Sequence, residues 1–166
     1  RIYDAAKFYK LKNIIRITAD CPLIDIDSIK KQIDFFKKNK LDYCYLGLTF
    51  AEGICSDIFT FSLLETAVNS TNNSDDREHV TLFFHKNKKL FKISNFENET
   101  DDSKYRIVLD YKDDFFVISK IIEKLYEKNK YPFSIMKIKN FLDNNQELYN
   151  KNKKYKRNES FNVFDL

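Results

Sequence analysis

Apolar positions along this chain alternate between two spacings. Ile2, Ala5, Ala6 and Tyr9 recur on one face at helical spacing, which predicts a helix over residues 1–11. The β-branched run from Asn13 to Thr18 predicts a strand. Pro22 bars a helix at that point. Asp25 or Asp27 can cap the next one, over residues 27–40, with Ile29, Ile33, Phe35 and Phe36 as its apolar face. Leu41 to Leu48 is a second strand, and residues 50–61 are mostly extended. Ser62 is a candidate cap for a helix over 62–70, and a further short helix covers 77–87. Strands follow at 89–96 and at Tyr105 to Asp110. Phe116, Ile118, Ile121, Ile122 and Leu125 then mark a strongly amphipathic helix, and one more begins near Pro132 or Ser134. Strands alternating with helices predict an α/β fold with a mainly parallel sheet. No repeat is visible.

Composition narrows the class without naming a function. The 166 residues suffice for one domain with a real core, and 43% hydrophobic with 33% charged residues is ordinary globular composition. We read residues 1–150 as part of a single domain and 151–166 as a basic polar tail. The net charge of +4 is too mild to imply nucleic acid as a partner. The segment KNKKYKR, from Lys151 to Arg157, reads as solvated. Cys21, Cys44 and Cys55 form no zinc spacing, and their odd number argues against a disulfide framework. Reduced thiols and the lack of a span-length apolar run or signal peptide predict a cytoplasmic protein with no membrane partner.

Two strands end in an acid: IIRITAD at Asp20 and YRIVLD at Asp110. In open α/β sheets ligands gather at the carboxyl ends of strands. Two hard oxygen donors at one site suit Mg²⁺, which is commonly held by one or two carboxylates plus substrate phosphates. Each aspartate also serves well as a turn or cap residue, and the pattern alone leaves both readings open. With Gly47 and Gly53 as the glycines, G-x-G-x-x-G and the P-loop are excluded. His79 and His85 are not at zinc-helix spacing. Arg77, Glu78 and His79 group three polar side chains at an expected helix start.

In order and spacing, RITADCPLID, EGICSDIFTFSLLETA, REHVT and YRIVLDYKDDFFVI resemble the cytidylyltransferases of the spore coat polysaccharide type, relatives of the acylneuraminate and 3-deoxy-manno-octulosonate enzymes. The resemblance covers nearly the whole chain, including FLDNNQELYNKNKKYKRNES near its end. It implies a three-layer α/β/α nucleotide-diphospho-sugar transferase (Rossmann-like) fold, and transfer of CMP from CTP to a sugar with release of pyrophosphate. It implies Asp20 and Asp110 as ligands of Mg²⁺. It places Arg77, Glu78, His79 and Asp57 near the sugar, and allows a homodimer.

There are departures from the family pattern. Ala19 replaces a glycine, Cys55 replaces an acid, Asp57 replaces a glutamate, and Tyr111-Lys112 replaces Thr-Pro. The chain starts at Arg1 inside a helical pattern, and aligns past the family's phosphate-gripping loop. The expectation is therefore a fold lacking its first strands. The alternative function is a catalytically inactive fragment acting as a binding or dimerisation module.

Overall fold

The computed structural model describes residues 1–73, 76, 79–126 and 132–157. They divide between two compact units. The first comprises Arg1–Ile17, Ser28–Gly47 and Ser56–Glu97; the second comprises Thr18–Asp27, Leu48–Cys55 and the described residues from Asn98 onward.

The first unit is built on a four-stranded sheet: β1 (Asn13–Arg16), β2 (Tyr43–Leu46), β3 (Asp57–Thr60) and β4 (Ile93–Phe96), in the order β1-β3-β2-β4. Strand β3 runs antiparallel to both β1 and β2, with Ile14 opposite Phe59 and Cys44 opposite Ile58; β2 and β4 are parallel. The expected mainly parallel sheet is thus corrected to a mixed one. Three strands share a direction, but the reversed strand sits inside the sheet and turns two of the three pairings antiparallel. The cause is the β2–β3 connection, residues 47–56, which contains no helix. A parallel return in one sheet needs a longer crossover, usually helical.

Alternate side chains leave the sheet on opposite faces. On one face Ile14, Tyr43 and Phe59 pack with Ala6, Leu63, Leu64, Ala67, Phe83 and Phe84. These come from α1 (Ile2–Phe8), α3 (Phe61–Ser70) and α4 (Val80–Lys86). On the other face Cys44 and Ile58 pack with Phe36 and Leu41, and with Ile33 and Phe35 of α2 (Ile26–Asn39). Helix, sheet and helix therefore form the three layers expected of the fold. Burying each large side chain contributes about 1.5–3 kcal/mol before entropy is subtracted.

Helix ends follow local chemistry. α1 stops at Phe8 rather than residue 11, because Lys10 takes φ 53 and the Leu11 N–H donates to the Ala6 carbonyl at 2.9 Å. The same closure ends α2, with Lys40 at φ 50 and the Leu41 N–H on the Phe36 carbonyl at 3.2 Å. α3 is capped by Thr60, whose Oγ1 accepts the Leu63 N–H at 3.2 Å, and not by the expected Ser62.

In the second unit, α5 (Lys112–Leu125), α6 (Ile135–Asp143) and α7 (Gln146–Asn150) surround buried Val117, Ile118, Ile121, Phe133, Ile138 and Leu142. The expected strand at Tyr105 to Asp110 does not form a regular ladder. Its one pairing is a parallel bridge from Arg106 to Glu52. There the Glu52 N–H donates to the Tyr105 carbonyl at 2.9 Å, and the Ile107 N–H to the Glu52 carbonyl at 2.7 Å. The ladder ends at once because Gly53 adopts φ +102 and turns the partner segment away. The tail is anchored as well as polar. Asn152 is buried, and the Arg157 guanidinium donates to the carbonyls of Leu48 and Phe50 at 2.8 and 2.9 Å. No helix among the described residues is long and apolar enough to cross a membrane.

Candidate functional site

Asp20 and Asp110, about ninety positions apart in sequence, are brought together by backbone. The Leu109 N–H donates to the Asp20 carbonyl at 2.8 Å, so the residue before Asp110 is tied to the turn that carries Asp20. Both belong to the second unit. Asp20 is exposed, and the Asp110 side chain is 38% exposed.

Asp110 is oriented from behind by a buried network that the sequence did not reveal. Arg106 is only 7% exposed, and a charge so placed needs full pairing. Its Nε and Nη2 form a fork on Asp114, at 2.9 and 2.8 Å. Nη1 meets Glu52 at 2.8 Å, and Nη2 also reaches Asp110 at 3.1 Å. Asp114 is completely buried, in the first turn of α5. It accepts the N–H groups of Asp110 and Tyr111, at 3.1 and 3.0 Å, and the Asn152 amide at 2.8 Å. Burial pushes the Asp114 carboxyl up, but the bonds from Arg106, Asn152 and the two backbone N–H groups outweigh it and hold it below its usual range. Tyr111 and Tyr155 stack at 4.0 Å, and the Arg106 guanidinium lies 5.5 Å from each ring centroid. The network's one sequence trace is Arg106 and Asp114 flanking Asp110. Glu52 and Asn152 come from distant segments and left none.

The other expected residues fall elsewhere. Asp57 lies at the start of β3 in the first unit. One of its oxygens pairs with Arg16 on β1 at 2.9 Å, and the other accepts from the Tyr43 hydroxyl at 2.7 Å. His79 precedes α4 as its N-cap residue, also in the first unit, and is exposed. Arg77 and Glu78 lie outside the described residues. Among the described residues no group of three or more His, Cys, Asp or Glu converges into a cage for a metal.

Next to Asp20 sits a thiol pair that the cysteine spacing did not suggest. The sulfurs of Cys21 and Cys55 are 2.7 Å apart, and Thr18 Oγ1 lies 3.4 Å from the first and 3.2 Å from the second. The hydrogen bond with Cys55, and burial after it, push the Cys21 thiol far above its ordinary range.

Comparison with known proteins follows the same line. Residues 1–161 match the family model described as cytidylyltransferase. An uncharacterized protein of Methanocaldococcus jannaschii is 33% identical over 159 residues, which span 92% of this chain and 62% of that protein. The spore coat polysaccharide biosynthesis protein SpsF of Bacillus subtilis is 28% identical over 118 residues, spanning 69% of this chain and 49% of that protein. Among solved structures, a cytidylyltransferase from Leptospira borgpetersenii superposes with a TM-score of 0.81 at 32% identity, covering 89% of this chain and 63% of that one. The chain thus spans between about half and just under two thirds of the length of these proteins.

Proposed function

Since the chain belongs to the cytidylyltransferase family, we propose that the protein takes part in transferring a cytidylyl group from CTP to a sugar, for the synthesis of a cell-surface glycan. The observation that carries this reading is the backbone tie between Leu109 and Asp20, which brings together two aspartate-bearing turns from distant parts of the sequence.

The chemistry asks for positioning more than for covalent catalysis. A sugar oxygen attacks the α-phosphorus of CTP, the bond to the β-phosphate bridge breaks, and pyrophosphate leaves. Charge builds on phosphate oxygens throughout. Asp20 and Asp110 fit as Mg²⁺ ligands by donor type, both being hard oxygen donors with partly or fully exposed carboxylates. Bound there, the ion would neutralise charge on the phosphates.

What the chain itself does is hold the Asp110 carboxylate still. Arg106 restrains one oxygen of Asp110, and Asp114 and Glu52 fix Arg106 in turn. Because Asp114 also accepts the backbone N–H of Asp110, the side chain and main chain of that residue are set by one buried group. Such support from behind keeps a ligand oriented before substrate arrives.

Pyrophosphate release from CTP, followed with a panel of sugar acids and neutral sugars in the presence of Mg²⁺, tests the proposal. Sugar-dependent release that disappears in Asp20→Asn supports it. CTP turnover unaffected by every sugar and by Asp20→Asn contradicts it.

A further inference from the structure

The thiols of Cys21 and Cys55 have no part in the reaction described above, yet their placement is specific. They sit 34 positions apart in sequence and meet within the second unit with sulfurs 2.7 Å apart. A disulfide bond spans about 2.05 Å, so a small approach of the two side chains closes it. Cys21 is 5% exposed, whereas Cys55 is partly exposed. An oxidant in solution therefore meets Cys55 first, with Cys21 directly behind it. The third cysteine, Cys44, is fully buried in the first unit, in the core between β2 and α2.

We propose that Cys21 and Cys55 are a redox modification site: a dithiol that hydroperoxides oxidise to an intramolecular disulfide. In the first step the Cys55 sulfur attacks a peroxide oxygen. The S–O bond forms, the O–O bond breaks, and with hydrogen peroxide the departing hydroxide takes up the thiol proton as water. In the second step the Cys21 sulfur attacks the sulfenic sulfur of Cys55. The S–S bond forms, the S–O bond breaks, and the hydroxide leaves with the Cys21 proton as a second water. Two thiols and one hydrogen peroxide give one disulfide and two waters. A resolving thiol already in contact diverts Cys55 from the irreversible sulfinic and sulfonic acids. The cross-link joins the residue after Asp20 to the segment that carries Glu52, so it braces both sides of the candidate site. The proposal does not depend on the identity of the substrate.

The test is peroxide treatment of the native protein, then denaturation, alkylation and mass spectrometry. The expected product is about 2 Da lighter than the reduced protein before alkylation. It takes one alkyl group, on Cys44, where the reduced protein takes three, one for each of its three cysteines. A proteolytic peptide pair linked through Cys21 and Cys55 appears and is lost on adding dithiothreitol. In Cys21→Ser the linked pair is absent and Cys55 instead accumulates oxygen adducts. Three alkylated thiols after treatment would overturn the proposal. So would oxygen adducts on Cys55 of the native protein without the linked pair, or a link through Cys44.

Discussion

Arg106 is the residue on which most of the candidate site leans. Three carboxylates and two aromatic rings surround one guanidinium, and Asp114 on its far side has no solvent to turn to. Removing one partner of such a buried pair leaves the other uncompensated. Arg106→Leu should therefore destabilise the protein by about 3–5 kcal/mol, read as a shift in the denaturant midpoint. Lys120→Ala, which removes an exposed pair with Glu123 on α5, should cost less than about 1 kcal/mol in the same assay. Gly53 is constrained in another way. A Cβ there would collide with the Ile107–Val108 peptide, and its φ of +102 is one that side chains rarely adopt. Gly53→Ala should cost on the order of 1–3 kcal/mol. A midpoint within error of the native one would show that the Glu52–Arg106 bridge tolerates a shift.

At the scale of elements, the chain's glycine scarcity shows in how its helices end. The left-handed closing positions of α1 and α2 are occupied by Lys10 and Lys40, where glycine is usual. Lys40→Gly should raise stability by about 0.5–1 kcal/mol, because it removes the left-handed penalty at an exposed site. A loss of stability would mean that the lysine stem packs more than its exposure implies.

α4 supplies a pH dependence. Burial lowers the His85 pKa below its ordinary 6.5, against the pull of Asp57. The folded state thus binds the proton less readily than the unfolded one. The contribution to stability is present above about pH 6.5 and is lost as pH falls through the lowered folded value. Thermal melts between pH 7 and 5 should show stability declining, and His85→Gln should flatten that decline.

Most elements could be read from periodicity, since α2, α5 and the strands carry unambiguous apolar faces. Two readings failed for reasons that periodicity does not contain. Tyr105 to Asp110 has strand composition, but pairing depends on its neighbour, and Gly53 ends that pairing after one bridge. The direction of β3 depends on the connection before it rather than on its own residues.

For the molecule as a whole, the α/β fold class and the family were legible because the motifs span nearly the entire sequence. The site was legible only in part. Asp20 and Asp110 announce themselves as acids at the ends of β-type runs, and the structure ties their segments together. Glu52, Asn152 and the Cys21–Cys55 contact are products of long-range packing, and no local pattern encodes them. Asp57 carried a sequence signal, and the structure shows it engaged by Arg16 and Tyr43 within the sheet.

The central claim is that Asp20 and Asp110 form one Mg²⁺-dependent nucleotide site. Isothermal titration of CTP into the protein, with Mg²⁺ and with EDTA, tests it most directly when repeated on Asp20→Asn. The account predicts binding that requires Mg²⁺ and weakens at least tenfold in the variant, about 1.4 kcal/mol of binding free energy. CTP binding of equal strength with EDTA, or in Asp20→Asn, would contradict it and leave Asp20 a turn residue.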